Sequence, residues 1–338
     1  MAKVLVTGAS GFVGSHLAAA LCRQGDEVTC LVRKTSVVDR LRPLGLRLVY
    51  GSVTEPDSLQ AAVAGNEIVY HVAGSTKAFR KEHLFKVNEQ GTANVARACA
   101  EQTTPPVLVV VSSLAAAGPA PDGQPRTEAD PAEPVSNYGR SKLAGERAAE
   151  QFADRLPITI VRPPIVVGEA DRDGFAMFRA ISRFRIHLVP TFRPRRYSLI
   201  HAADLANLLI LAARRGTRLS SGPTDGPSPP GHYFAACEVH PTYAQLGRMV
   251  AAALGRRRVL VLPANPLAVR MAATLSEVCS RIVRRPNILN FDKVREIRAG
   301  SWLCSAQAAT DELGYSPAAP LPERLRQTAE WYRREGWL

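Results

Sequence analysis

The chain has 338 residues, 46% hydrophobic and 22% charged, with 43 Lys plus Arg against 30 Asp plus Glu and a formal net charge of +13. That length and balance exclude a fibrous, low-complexity or disulfide-stapled protein, and leave room for one large α/β domain with a smaller appendage, or for two domains. The positive excess is scattered arginine, with no block of five or six and no helix-turn-helix, finger or RNA-binding signature, so it reads as solvated surface and no nucleic-acid partner is expected.

The first strand pattern, Lys3–Thr7, begins almost at Met1 and leaves no room for a signal peptide. No uncharged apolar run of about 18 residues follows, so the expectation is a cytoplasmic protein with no integral membrane segment. Further strand patterns are Glu27–Val32, Arg47–Tyr50, Ile68–Val72, Val107–Ser112 and Ile158–Arg162. Helical patterns at Gly11–Gln24, Asp57–Ala64, Val87–Gln102 and Tyr138–Ala153 lie between them. This alternation predicts an α/β fold, a doubly wound parallel sheet of Rossmann type.

After Gly168 the pattern changes. A helix at Gly174–Phe184 precedes a Pro/Arg-rich loop, Pro190–Arg196, and a helix at Ala202–Arg214. The stretch Gly216–Gly231 reads as an exposed loop, and helices follow at Thr242–Leu254, Pro266–Val283 and Leu321–Glu335. Thr242 is a candidate N-cap and Gly255 a candidate residue just past the helix end. The expected organisation is a dinucleotide-binding domain over 1–170, with 197–215 returning to it, and a smaller, mainly helical substrate-binding region over 171–196 and 216–338.

Gly8, Gly11 and Gly14 follow the first strand and open a helix. Glycines there permit a tight turn and a close backbone approach to a pyrophosphate, which meets the amides and positive dipole end of the helix. At the end of the second strand, where an acid would bind a ribose 2′-hydroxyl, Val32 is followed by Arg33 and Lys34. Cations suit a 2′-phosphate, so NADP(H) is favoured and NAD(H) is the alternative. Tyr138 and Lys142 are four apart in a helical pattern and share one face. A nearby ammonium favours the phenolate, which makes Tyr138 the candidate general acid/base and Lys142 its electrostatic partner. Ser113, just past a buried strand, is placed to bond a substrate carbonyl oxygen, with Ser112 as its rival. Asn88 reads either as an N-cap or as a cofactor contact. Cys22, Cys30, Cys99, Cys237, Cys279 and Cys304 lack metal spacing, as do the seven histidines, and no metal site is expected.

Thr7-Gly8-x-x-Gly11-x-x-Gly14 together with Tyr138-x-x-x-Lys142 resembles the extended short-chain dehydrogenase/reductase family, within the NAD-dependent epimerase/dehydratase superfamily. His71-Val72-Ala73-Gly74, Asn88-x-x-Gly91-Thr92-x-Asn94, Ser112-Ser113, Arg162-Pro163-x-x-x-x-Gly168 and His201-x-x-Asp204 arrive in the family's order. The resemblance implies cofactor contacts from Gly8, Ser10, Gly11, Phe12, Val13, Gly14, Arg33, Lys34, Ser52, Val53, Val72, Ala73, Gly74, Asn88, Ser112, Tyr138, Lys142, Pro163 and Ile165. It also implies that Lys142 holds the nicotinamide ribose, and that Ser52 stands where relatives commonly carry an Asp for the adenine.

Ser198-Leu199-Ile200-His201 is similar to the 3β-hydroxysteroid dehydrogenase and dihydroflavonol reductase branches. The expectation is therefore an NAD(P)-dependent oxidoreductase acting on a lipophilic secondary alcohol or ketone, either steroid-like, aryl or acyl. A nucleotide-sugar epimerase or dehydratase with tightly held NAD is one alternative, and a non-catalytic cofactor-binding sensor another. Arg193, Arg196 and His201 are the candidate substrate contacts, although His201 and Asp204 equally fit loop positioning and helix capping. Arg281, Arg284 and Arg285 form a second basic cluster, after a helix expected to be a pocket lid or a membrane-surface segment. Relatives pair the helices corresponding to Val87–Gln102 and Tyr138–Ala153, and Ala93, Ala96, Ala100, Ala144 and Ala148 suit a homodimer of that kind.

Overall fold

The structure is a computed structural model that describes residues 1–189, 193–220, 230–264 and 291–338, without the side chain of Phe291. The expected helix Pro266–Val283, Cys279 and the cluster Arg281, Arg284 and Arg285 lie outside the described residues.

The strands are β1 (Lys3–Thr7), β2 (Glu27–Val32), β3 (Arg47–Tyr50), β4 (Ile68–His71), β5 (Val107–Val111), β6 (Ile158–Arg162), β7 (Ile165–Val167), β8 (Ile186–Val189), β9 (Leu199–His201), β10 (His232–Phe234) and β11 (Leu260–Pro263). Seven of them form one parallel sheet in the order β10-β6-β5-β4-β1-β2-β3. Near-continuous Val, Ile and Leu runs suit strands covered on both faces, and β1 is buried from Val4 to Thr7. One face carries helices Phe12–Arg23 and Ala202–Arg215, whose leucines and alanines share a core with Val4, Val6 and Tyr70. The other carries Gly91–Ala100 and Asn137–Glu150, packed with Leu5, Val69, Leu108 and Ile160. Chain order reverses at β1, between β2 and β4, and such a reversal opens a crevice at the strands' C-terminal ends.

A second core joins helices Phe175–Phe184, Tyr243–Ala253 and Leu321–Arg334 around Phe178, Leu246, Trp302 and Tyr332. Thr242 forms the capping box with Gln245, and Gly255 takes φ 72 just beyond the helix end. Two parallel pairs, β7 with β9 and β8 with β11, complete this region.

Some sequence expectations need correction. The stretch 232–234, assigned to the substrate-binding region, is the sheet's seventh strand. The helix expected from Val87 starts earlier: Lys81–Phe85 runs through a π turn, Lys86–Gln90, into Gly91–Ala100. Asp57–Ala64 is broken into a 3₁₀ turn at Pro56–Ser58 and one helical turn at Gln60–Val63, with Pro56 excluded from the interior of a helix.

Candidate active site

The turn after β1 is tight because glycines stand where its backbone comes closest to its neighbours. Gly8 takes φ 72, and a Cβ there would lie 2.5 Å from the Ala73 amide nitrogen. A Cβ on Gly14 would lie 2.2 Å from the Gly8 carbonyl oxygen. Gly11 caps helix Phe12–Arg23 without a side-chain hydrogen bond, and no acidic residue stands in its first turn. The helix therefore presents free amides and its positive end to the crevice, a fit for a dinucleotide's pyrophosphate. Gly14→Ala should push the helix off the turn, costing about 1–3 kcal/mol of stability and weakening dinucleotide binding. A denaturant midpoint and a cofactor titration check both effects.

Ser113, Tyr138 and Lys142 face the same cleft. Ser113 caps the short helix Leu114–Ala117, its oxygen accepting from the Ala115 amide at 3.1 Å. Tyr138 and Lys142 come from helix Asn137–Glu150, Tyr138 half-buried and Lys142 buried. Burial pushes the Tyr138 phenol up to about 12, opposed by a hydrogen bond with Ser113 and assisted by the Glu296 charge. The Lys142 ammonium donates to the Val111 carbonyl at 2.7 Å. Burial pulls it down to about 8 against the attraction of Glu146. Glu146 is itself held by Arg162, which donates from Nε at 3.0 Å and from its terminal nitrogen at 2.7 Å.

Asn88 is not an N-cap. It sits inside the π turn, fully buried, and its side chain holds the Ser75 amide (2.8 Å), the Ser75 carbonyl (2.9 Å) and the Ser141 hydroxyl (2.9 Å). Helix Asn137–Glu150 comes so close at Gly145 that a Cβ would lie 2.2 Å from the Asn88 carbonyl oxygen. That carbonyl accepts from the Thr92 hydroxyl at 2.6 Å, so Thr92 must accept from His71 Nε2–H at 3.0 Å. His71 Nδ1 then accepts from the Thr7 hydroxyl at 2.9 Å. Burial pushes this imidazole down to about 3, with Lys142 adding, so the ring is neutral and the chain of bonds has one direction. It ties β1 and β4 to the helix that supports Tyr138 and Lys142.

Two residues that sequence reading passed over complete the site. Asp292 accepts from the Asn137 amide at 2.8 Å and from the Tyr138 amide at 3.0 Å. Glu296 accepts from the Ser136 hydroxyl at 2.7 Å, and Ser136 caps Gly139 at 2.9 Å. Carboxylates are favoured at a helix N-terminus, and here they come from helix Phe291–Ala299, more than 150 positions away in the chain.

The cleft encloses about 2190 Å³. It is lined by Gly8, Ser10, Gly11, Phe12, Val13, Gly14, Arg33, Ser52, Val53, Val72, Ala73, Gly74, Ser112, Ser113, Tyr138, Lys142, Pro163 and Ile165. Lys34 is exposed outside it, and Asn88 lies behind it. Arg40, not singled out from sequence, lines it and donates to the Ser15 hydroxyl at 2.9 Å. Among the described residues that line the cleft, Arg193, Arg196 and His201 do not appear. Arg193 and Arg196 are exposed, and Arg196 donates from Nε to the His240 carbonyl at 3.1 Å. His201 caps helix Ala202–Arg215 and faces Glu169 at 3.3 Å, while Asp204 pairs with Arg324 at 2.8 Å. The far wall of the cleft carries apolar and aromatic side chains, Met177, Ala180, Phe184, Tyr243, Leu246 and Trp302, beside the charged Arg172 and Lys293. Ligand pockets usually measure about 300–1,000 Å³, so the cleft has space for a second ligand beside a dinucleotide.

A family model described as the NAD dependent epimerase/dehydratase family matches residues 4–223. The chain is 30% identical to the ceramide reductase of Caulobacter vibrioides over 99% of this chain and 96% of that protein. It is 27% identical to sterol demethylase protein B of Methylococcus capsulatus over 99% of each. Among solved structures, that of gox2253 matches with a TM-score of 0.78 at 26% identity over 99% of each chain. The UDP-glucose 4-epimerase of Thermotoga maritima matches with a TM-score of 0.77 at 18% identity, over 98% of this chain and 99% of that one, a likeness of fold.

Proposed function

We propose that this chain, which belongs to the NAD dependent epimerase/dehydratase family, is a reductase that uses NADP(H) to interconvert a lipophilic ketone and its secondary alcohol. The observation that carries this reading is the meeting of Ser113, Tyr138 and Lys142 in a cleft with a glycine turn at one end and an apolar wall at the other. The nicotinamide cofactor supplies or accepts the hydride. Ser113 bonds the substrate oxygen and holds the carbonyl towards Tyr138. The Tyr138 phenol, kept protonated by its surroundings, gives its proton to that oxygen during reduction and takes it back in the reverse direction. Lys142 offsets the negative charge that develops on the phenol and holds the nicotinamide ribose.

The apolar and aromatic side chains of that wall, Met177, Ala180, Phe184, Leu246 and Trp302 among them, suit a hydrocarbon body. Caulobacter ceramide reductase and Methylococcus sterol demethylase protein B, each aligned over almost their whole length, bear names of lipid chemistry. The test follows NADPH absorbance with steroid, aryl and long-chain acyl ketones. Turnover of at least one supports the reading, and NAD⁺ retained by the purified protein with no ketone turnover overturns it.

The preference for NADP(H) rests on Arg33 at the end of β2, with Arg40 as a second cation on the same wall. Arg33→Asp is expected to weaken NADPH binding by ~10-fold or more, in the range of a charge-assisted hydrogen bond, while leaving NADH binding less affected. Isothermal titration with both cofactors checks this, and equal losses would refute it. A homodimer through helices Gly91–Ala100 and Asn137–Glu150 remains part of the proposal. Ala93, Ala144 and Ala148 are half-exposed there, whereas Ala96 is buried on the sheet.

A further inference from the structure

The β8–β11 pair has one face turned in and one turned out. His187 is buried, and a Cβ on Gly247 would lie 2.2 Å from its ring. Ile186 pairs with Leu260 and Leu188 with Leu262, so these four aliphatic side chains share the opposite face. Leu188 is 61% exposed, Leu260 57% and Leu262 38%, and Phe184, just before β8, is 63% exposed. A contiguous exposed patch of this kind marks an interaction surface more often than a chance distribution of apolar residues.

Charge surrounds the patch with one sign. Segments 175–189 and 243–264 contain seven arginines and no Asp or Glu. Arg183, Arg185, Arg257 and Arg258 are exposed. They gather at one end of the ribbon, because Arg256 donates to the Ser182 carbonyl at 3.2 Å and the Leu260 amide to the Arg185 carbonyl at 2.8 Å. Arg185 ends its helix at φ 55, a left-handed conformation that favours glycine, yet an arginine stands there. Phe184, Ile186 and Leu188 also line the cleft, so the patch is continuous with the wall opposite Tyr138.

We infer that the outer face of the β8–β11 ribbon, with Phe184 and the flanking arginines, docks the protein on the surface of an anionic lipid bilayer. Aliphatic side chains enter the interface between headgroups and acyl chains, and the arginines meet lipid phosphates. No helix among the described residues is long and apolar enough to cross a membrane, so the contact is a surface one. Docked in this way, the cleft opens towards the membrane, and a lipid ketone reaches Tyr138 without passing through water. That last step rests on the reductase reading, whereas the docking itself does not.

The test is co-sedimentation of the full chain with vesicles of phosphatidylcholine alone and of phosphatidylcholine with phosphatidylglycerol. The wild-type protein should partition to the anionic vesicles at least ~10-fold more strongly, with the preference falling as salt is raised. Leu260→Asp with Leu262→Asp should abolish partitioning, and Arg257→Glu with Arg258→Glu should remove the anionic preference. Both pairs are exposed and absent from the cleft lining, so cofactor binding and turnover of a water-soluble ketone should stay unchanged. Equal partitioning by wild type and the Leu260/Leu262 variant, or none by wild type, overturns the proposal. Light scattering covers the other occupant: a wild-type dimer lost in the Leu260/Leu262 variant, without vesicle binding, would assign the patch to a second copy. Vesicle binding with no ketone turned over would leave docking standing and refute the reductase reading.

Discussion

Replacing Tyr138 with Phe is expected to lower the rate of ketone reduction by ~10²–10⁴-fold, the usual contribution of a positioned general acid. The ring stays, so fold and dinucleotide affinity should change little, and single-turnover kinetics at saturating NADPH isolate the proton step. The wild-type pH profile follows from the same site. Tyr138 must be protonated to act as an acid, and it is pushed up to about 12, so it is competent throughout the neutral range. Lys142 is the group that titrates nearby, held down to about 8. As pH rises through that value its ammonium loses the proton, and the charge that offsets the forming phenolate goes with it. Reduction should therefore fall above pH ~8, and the opposite trend would contradict the assigned role of Lys142. Full activity in Tyr138→Phe would contradict that of Tyr138.

Arg162→Met is expected to destabilise the fold by about 3–5 kcal/mol, because it leaves the Glu146 carboxylate buried without its partner. In the native protein burial alone would raise the Glu146 carboxyl, but Arg162 outweighs it and holds it below its ordinary value. Without Arg162 the sign reverses, and the folded state takes up a proton more readily than the unfolded one. Stability of the variant should then be greatest in acid and fall as pH rises past the ordinary carboxyl range. Denaturant midpoints at two pH values measure this. Arg162→Met combined with Glu146→Leu should recover most of the loss, since it removes both charges. The site would respond as well: Glu146 is the charge that holds Lys142 up, so the double variant, which lacks that charge at every pH, should also lower the pH at which reduction fails.

The parts legible in the sequence were those where chemistry repeats at short range. The bounds of β1, β2 and β6 coincide with the expected ones because each is a largely buried apolar run ended by Gly, Pro or a charged residue, and those of the more exposed β3 coincide because Gly51 ends its apolar run. The glycine turn and the pair Tyr138 and Lys142 could be singled out because each spacing falls within one turn or one helix, and Ser113 because it follows a buried strand. β10 was hidden because three residues, His232–Phe234, after a Gly- and Pro-rich stretch make no period. Asp292 and Glu296 were hidden for a different reason: a cap supplied from 155 positions away leaves no local trace beside Asn137. Arg193 and Arg196 are exposed, and clustered charge in a sequence does not by itself say which way a side chain faces.

The cap that Asp292 and Glu296 place on the Tyr138 helix also sets a schedule. A ribosome delivers β1 to β6 long before it reaches codon 291, and domains tend to fold N-terminal part first. Throughout that interval a nucleotide-binding sheet can assemble while the Asn137 and Tyr138 amides have no carboxylate to meet. Residues made late are thus the ones that finish the first-formed half. Under the proposed chemistry, a nascent chain can hold a cofactor before it can use one, which keeps hydride from being spent on whatever lies near an incomplete pocket.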